Sequence, residues 1–148
     1  MKANLIAALA ALLALSPAAL AAPVALTVKL APVVVLPAGQ ENAAVPVTLT
    51  LSNPSDQPAT LKASNKCAVA IWSVTDSTGG EVTNHDICPM IYQPQTDTLA
   101  PGATQTEEKS ISLRAADYRE GVTYTLHYRF WGVLADAPFA VKQGRPAN

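Results

Sequence analysis

The stretch Val122-Thr123-Tyr124-Thr125-Leu126-His127-Tyr128-Arg129-Phe130 decides the fold class of this chain. Apolar and aromatic side chains occupy every second position, and Thr, His and Arg occupy the positions between them. Successive side chains of a β-strand point to opposite faces, so this alternation predicts a half-buried strand. The same pattern, with Thr and Ser on the polar face, recurs at Val45, Val47, Leu49 and Leu51.

Shorter apolar segments predict further strands. Residues 26–36 predict a first strand that is kinked at Pro32 and changes sheets, because proline cannot continue a hydrogen-bond ladder. Residues 68–76 carry apolar side chains on both faces, which indicates a central strand with Trp72 in the core. Phe139 and Val141 suggest a final short strand.

Turn residues separate these strands. Leu99-Ala100-Pro101-Gly102 fits a type II turn, because Pro fixes φ and Gly accepts a positive φ. Residues 114–121 are the best helical candidate, with about two turns at most, ending at Gly121. The sequence therefore predicts an all-β protein, an immunoglobulin-like antiparallel β-sandwich of about seven to nine strands with one short helical turn.

The first 21 residues have the pattern of a secretory signal peptide. Lys2 supplies a positive start, residues 5–15 are an unbroken apolar run, and Ala19 and Ala21 are small residues at the positions that signal peptidase reads. The alternative, a membrane anchor, is disfavoured because the run is too short to span a bilayer and Pro17 follows it. We expect residues 22–148 to form one exported domain, in the periplasm, at the cell surface or outside the cell, with no membrane span after cleavage.

Charge and cysteine content narrow the function. The formal net charge of −1 argues against a nucleic-acid partner. The two cysteines, Cys67 and Cys88, are expected to form a disulfide in an exported chain, which stabilises the fold by roughly 3 kcal/mol. The alternatives are a metal site shared with His85 and His127, and a reactive thiol, but neither has the spacing or the neighbours that its chemistry requires.

Several strand and turn motifs follow one another along most of the chain, at residues 49–61, 72–82, 92–93, 99–102 and 121–126. Their order resembles a known family, the BsuPI-type intracellular proteinase inhibitors. The resemblance implies a compact β-sandwich that acts by protein binding, without catalytic residues. The signal peptide and the predicted disulfide depart from an intracellular family.

The segment Pro89-Met90-Ile91-Tyr92 is the first candidate binding site. A rigid loop beside a disulfide loses little entropy on docking, and exposed apolar side chains serve as anchors for a partner's pocket. The alternative is that these residues form an inner strand with their apolar side chains in the core.

The second candidate is an exposed face formed by His127, Arg129 and Trp131. An aromatic ring beside Arg can recognise a sugar or a partner surface. The alternative is that Trp131 covers the end of the core.

The sequence contains no motif of a nucleophilic, phosphate-binding or metalloprotease site. A calcium site at Asp76, Asp86 and Asp97 is an alternative whose spacing matches no calcium loop. We therefore expect no catalytic residue, no metal and no cofactor. The predicted function is an exported, non-enzymatic protein that is proteinase inhibitor-like and binds another protein, such as a protease or an envelope component. The alternative is an interaction module of the cell envelope without inhibitory activity.

Overall fold

The computed structural model describes residues 24–85 and 91–144, and the predicted signal peptide lies outside the described residues. The described part of the chain is built almost entirely of strands, which confirms the all-β prediction. The strands are β1 (Ala25–Lys29), β2 (Val33–Leu36), β3 (Asn42–Ser52), β4 (Ala59–Ala63), β5 (Ala70–Asp76), β6 (Glu81–His85), β7 (Gln95–Leu99), β8 (Thr104–Arg114), β9 (Thr123–Phe130) and β10 (Val133–Gln143).

Two sheets form the sandwich, and a two-stranded ribbon accompanies them. The first sheet has the order β1-β3-β8, the second has the order β2-β10-β9-β5-β6, and the ribbon pairs β4 with β7. The described strand pairs are antiparallel except for β2 and β10, which are parallel. A single apolar core takes side chains from both sheets, including Val47 and Leu49 of β3 and Leu126 and Phe130 of β9.

The predicted kink at Pro32 is confirmed. The strand before it, β1, pairs with β3 in the first sheet, and the strand after it, β2, pairs with β10 in the second. Pro32 lacks an N–H group, but its carbonyl oxygen accepts a hydrogen bond from Ala140 N at 2.9 Å. The first predicted strand thus contributes one edge strand to each sheet.

The final strand is longer than the sequence pattern indicates. β10 runs over 11 residues, and it pairs with β9 from Val133 to Ala140. The prediction of a short strand around Phe139 was wrong because Ala135 and Ala137 are weak markers of a buried face, and Pro138 argues against a strand. Pairing with β9, rather than local propensity, therefore defines this strand.

The helical candidate at residues 114–121 is shorter than its upper limit of two turns. Only a short 3-10 turn forms there, at Ala115–Asp117; it is the second 3-10 turn of the described residues, and the first lies at Cys67–Val69. Tyr118 is extended, with φ −116° and ψ 142°, and its side chain is buried in the core. Burial of this ring ends the helical segment after three residues, because the core contact outweighs local propensity.

Asn53 is the only polar or charged residue that is fully buried among the described residues. Its Nδ2 donates hydrogen bonds to the carbonyl oxygens of Gln57, Leu99 and Ala100, at 2.8, 3.0 and 3.1 Å. Its Oδ1 accepts hydrogen bonds from the backbone N and the Oγ of Ser55. This Asn53 network joins the turn after β3 to the turn before β8.

The predicted turn at residues 99–102 is confirmed beside that network. Gly102 has a positive φ of 66°, and Ala103 N donates to Ala100 O at 3.1 Å. A positive φ is strained for a residue with a Cβ atom, so Gly is required here.

Two tyrosines close the sandwich beside the second 3-10 turn. The Tyr124 hydroxyl accepts a hydrogen bond from Arg119 N at 2.7 Å, which links the start of β9 to the preceding connection, as a tyrosine corner does in immunoglobulin-like domains. The Tyr118 ring packs edge-on against Tyr124, and its hydroxyl lies 2.7 Å from Thr83 Oγ1. These contacts explain why both rings are buried.

We expect Tyr118→Phe to change how stability depends on pH. Burial raises the pKa of Tyr118 to about 12, whereas an unfolded tyrosine titrates near pH 10. Between these values the unfolded chain loses a proton that the folded chain keeps, so the folded state loses stability as the pH rises. At neutral pH the Tyr118→Phe variant is less stable by about 1 kcal/mol, because it lacks the hydrogen bond to Thr83. It has no phenol to titrate, so it does not lose further stability between pH 10 and 12.

Urea unfolding at pH 7 to 12 measures this effect. The stability difference between wild type and Tyr118→Phe should narrow above pH 10. The control, Thr83→Val, removes the hydrogen bond but keeps the phenol, so it should retain the alkaline loss. A difference between wild type and Tyr118→Phe that stays constant to pH 12 would contradict the assignment.

Candidate functional site

One end of the sandwich brings together residues 62–67, residues 91–96 and the turn Trp131-Gly132, and we call this surface the loop end. The β4–β7 ribbon ends here, with Ala63 opposite Gln95. Gln93 N donates to Ser64 O at 3.1 Å, and Trp131 N donates to Val69 O at 2.8 Å. Backbone hydrogen bonds therefore hold segments that are far apart in the sequence beside one another.

The structure describes half of the candidate binding loop. Pro89 and Met90 lie outside the described residues. Ile91 is 61% exposed and Tyr92 is 78% exposed, and both lie outside any strand. The alternative of an inner strand therefore does not hold for these two side chains. Both are available to a partner.

Cys67 begins the first 3-10 turn at the loop end, and it is disulfide-bonded. The other cysteine of the chain, Cys88, lies outside the described residues, so the pairing of the two stays a prediction. The turn is further held by Asn65, whose Oδ1 accepts a hydrogen bond from Ala68 N at 2.8 Å. The Asn65–Ala68 hydrogen bond thus restrains the residues that flank Cys67, which borders the same hollow as Ile91.

Three shallow hollows lie around residues 62–67. The first, of about 160 Å³, has Lys66, Cys67 and Ile91 in its wall. The second, of about 260 Å³, has Lys62 and Tyr92 in its wall. The third, of about 360 Å³, lies between Lys62 and Arg129. Together they make a surface with exposed apolar anchors and recesses between them.

The second candidate, the face with His127, Arg129 and Trp131, is divided by the structure. His127 and Arg129 lie on the outer face of the five-stranded sheet, beside a small hollow that also borders Leu134. Trp131 follows the end of β9 and is partly buried against the core. Its φ of 51° reverses the chain, so the strand alternation that predicted a shared face no longer applies to it. Trp131 covers the end of the core, as the alternative expected.

The left-handed conformation of Trp131 is strained for a bulky residue. Its ring contacts the Phe130 ring, with centroids 6.5 Å apart, and burial against the core offsets the strain. The turn it forms with Gly132, whose φ is 79°, has the two positive φ values of a tight hairpin turn. This geometry places Gly132 at the edge of the third hollow.

His127 connects three strands through its two ring nitrogens. Nε2 lies 2.9 Å from Thr75 Oγ1 and Nδ1 lies 2.7 Å from Asp136 Oδ1. A hydroxyl, an imidazole and a carboxylate occur in this order in nucleophilic enzymes. Such enzymes also need free N–H donors beside the nucleophile, and the next N–H group, that of Asp76, donates to Gly80 O. The arrangement is best explained as a cross-strand contact.

The described residues that were considered for metal binding contact other groups. His85 is the last residue of β6 rather than a loop residue, and its ring stacks on Trp72 with centroids 5.3 Å apart. Asp76 Oδ1 accepts hydrogen bonds from Thr78 and Gly80, and these contacts lower the pKa of its carboxyl. Asp86 lies outside the described residues. Within residues 24–85 and 91–144 no group of three His, Cys, Asp or Glu side chains could hold a metal ion.

The sequence did not single out three residues that the loop end contains. Lys62, Ser64 and Lys66 are all exposed there. Their pattern is that of an ordinary strand end and turn. Lys62 and Ser64 line one hollow with Arg129. Because β4 and β9 both contact the 3-10 turn Cys67–Val69, this arrangement has no marker in the local sequence.

The fold and the loop end define the class of this protein: an all-β sandwich domain with an exposed apolar surface at one end. No family model matches the chain, and no curated protein matches it. Within the described residues, no helix has the length and the hydropathy that crossing a membrane requires.

Parts of several larger solved structures are similar to the chain. A beta-glucosidase from Listeria innocua is 14% identical, with a TM-score of 0.44, over 84% of this chain and 17% of that chain. The alkylpurine DNA glycosylase AlkC from Pseudomonas fluorescens is 17% identical, with a TM-score of 0.47, over 80% of this chain and 30% of that chain. A putative beta-galactosidase from Bacteroides fragilis is 19% identical, with a TM-score of 0.43, over 80% and 16%. The chain thus spans less than a third of each of these proteins, and such similarities identify no family.

Proposed function

We propose that this chain is an exported, non-enzymatic β-sandwich protein that binds another protein through the loop end, in the manner of a proteinase inhibitor. The exposure of Ile91 and Tyr92 beside the disulfide-bonded Cys67 carries the proposal. Large apolar side chains in a restrained loop supply binding free energy at a small entropic cost. The signal peptide predicted at residues 1–21 supports export, and the resemblance to BsuPI-type inhibitors supports a protease as the partner.

The experiment is inhibition of a panel of serine, cysteine and metalloproteases by the oxidised mature protein. An anchor that fills a pocket contributes roughly 2 kcal/mol, which corresponds to about 30-fold in the inhibition constant. We therefore expect the double variant Ile91→Ala, Tyr92→Ala to raise the inhibition constant about 30-fold if one side chain fills a pocket and about 1,000-fold if both do. Both side chains are exposed, so the stability of the fold should hardly change.

The matched control is Val33→Ala, Val35→Ala. These side chains are 50% and 59% exposed and lie on β2, away from residues 91–96. The control should inhibit like the wild type. If the control weakens inhibition more than the loop variant does, the binding site lies on the outer sheet face instead. If the wild type inhibits no protease, the inhibitor assignment is wrong.

The same control residues favour the second candidate function, an envelope interaction module without inhibitory activity. β2 is an edge strand of the five-stranded sheet, and Val33 and Val35 expose apolar surface beside it. Edges and apolar faces of this kind pair with other proteins. Absence of inhibition, together with a crosslink in envelope extract that Val33→Lys abolishes, would support this function.

A further inference from the structure

Two cationic side chains, Lys62 and Lys66, lie at the loop end, and a third, Arg129, borders it from the outer face of the five-stranded sheet. Lys62, Lys66 and Arg129 are all exposed. Lys62 and Arg129 line the same hollow of about 360 Å³. Lys62 also borders the hollow that contains Tyr92, and Lys66 borders the hollow that contains Ile91. Each apolar anchor of the proposed binding site therefore has a cation beside it.

Within residues 24–85 and 91–144, these cations have no acidic neighbour in the hollows. No Asp or Glu side chain of the described residues lines any of the three. The salt bridges between described residues use Lys109, Arg114 and His127 as their basic partners. The formal net charge of the whole chain is −1, so the positive charge at the loop end is a local feature.

The hollow between Lys62 and Arg129 suits a carboxylate. Ala63, Ala68 and Gly132 leave space between the two cations, and Ser64 adds a hydroxyl group. Ammonium and guanidinium groups both form charge-assisted hydrogen bonds with carboxylates, and partial removal of water strengthens such bonds.

We infer that the loop end recognises an acidic polypeptide segment, and that Lys62 and Arg129 receive one of its carboxylates. The inference rests on the proposed function and specifies the chemistry of the partner surface: carboxylates around a pocket that accepts Ile91 or Tyr92. A protein partner fits better than a nucleic acid or another polyanion. The exposed apolar anchors need an apolar counterpart, which a protein surface supplies.

The probe is a capped hexaglutamate peptide, titrated into the isotopically labelled, oxidised mature protein and followed by NMR. We expect amide shifts at residues 62–66 and at Arg129, with the affinity falling about tenfold between 50 and 200 mM NaCl because the contact is exposed to salt. A capped hexaglutamine peptide of equal length should produce no shifts.

The double variant Lys62→Gln, Arg129→Gln should abolish the hexaglutamate shifts. The control, Lys29→Gln with Lys142→Gln, changes the net charge equally at two exposed positions outside the loop end and should bind like the wild type. Shifts that lie elsewhere, or that persist in the Lys62/Arg129 variant, overturn the inference. Binding of a heparin hexasaccharide in the absence of hexaglutamate binding overturns the choice of a polypeptide.

The failure of this inference can be told apart from the failure of the proposed function. If Lys62→Gln, Arg129→Gln inhibits a protease as the wild type does, with the same salt dependence, while Ile91→Ala, Tyr92→Ala does not inhibit, the loop end binds proteases without using its cations. If the cation variant raises the inhibition constant more at 50 mM than at 200 mM NaCl, the cations contribute to the same binding site.

Discussion

Asn53→Asp is expected to lower the free energy of unfolding by about 3 kcal/mol or more, although the two side chains have nearly the same shape. The substitution replaces Nδ2, which donates to three carbonyl oxygens between 2.8 and 3.1 Å away, with an oxygen that cannot donate. The new carboxylate faces those carbonyl oxygens in a site that is 1% exposed. Its other oxygen keeps the two donors of Ser55, but the oxygen that replaces Nδ2 faces three carbonyl oxygens, so the carboxyl group either stays charged against them or takes up a proton.

Asn53→Ala should lower the free energy of unfolding by less, about 2 kcal/mol, because it removes the side chain without adding a buried charge. The control is Asn42→Asp, at an exposed position at the start of β3, which should change stability by less than about 0.5 kcal/mol. Urea unfolding at pH 7 of the wild type and these three variants measures the order of their free energies of unfolding. An Asn53→Asp variant that is as stable as the control would contradict the structural role of the network.

The Asn53 network also has a consequence for the loop end. It binds the Leu99 carbonyl at one end of the β4–β7 ribbon, where Ala59 lies opposite Leu99. The other end of the same ribbon, at Ala63 and Gln95, carries the loop end. Asn53 therefore anchors the ribbon from the side away from the proposed binding surface.

Trp72→Ala is expected to lower the free energy of unfolding by about 3–5 kcal/mol, the range for removal of a large aromatic side chain from a core. Trp72 is 7% exposed, and its strand, β5, lies between β9 and β6. Its indole ring also stacks on His85 at an interplanar angle of 11°. Removal of the indole ring leaves a cavity and eliminates the stacking contact with His85.

Trp131→Ala is the matched control, because Trp131 is the other tryptophan of the chain and is only partly buried. Trp131→Ala should lower the free energy of unfolding by less than Trp72→Ala does, since fewer apolar contacts are lost. Far-ultraviolet circular dichroism during urea unfolding measures both variants without relying on tryptophan fluorescence. A loss of stability for Trp131→Ala that equals or exceeds that for Trp72→Ala would show that Trp131 contributes at least as much to the core as Trp72 does.

The sequence-based predictions succeeded where side-chain alternation and turn chemistry are strong. The alternation at residues 122–130 became β9, with Tyr124, Leu126, Tyr128 and Phe130 buried. The kink at Pro32 and the turn at Gly102 were predicted correctly because the missing N–H of Pro and the positive φ that Gly accepts do not depend on distant contacts.

The predictions failed where a distant partner decides the conformation. Residues 115–118 have helical propensity, but burial of Tyr118 ends the turn. β10 has weak alternation, but pairing with β9 extends it. Trp131 follows a strand with a clear alternation, but a hairpin turn rotates it away from His127 and Arg129.

For the candidate site, the sequence pointed to the loop at residues 89–92 because apolar residues follow a cysteine there. It could not show the cations beside that loop. Lys62, Lys66 and Arg129 belong to segments that meet only after the strands have paired.

The sequence by itself determined the strand content, the main turns and the core positions of this protein. These features follow from the two-residue period of a strand and from the dihedral limits of Pro and Gly, which are local. Only the tertiary structure decided the parallel pairing of β2 with β10, the buried hydrogen bonds of Asn53 and the grouping of Lys62 with Arg129. Each of these depends on contacts between residues far apart in the chain, and side-chain patterning along one segment carries no information about them.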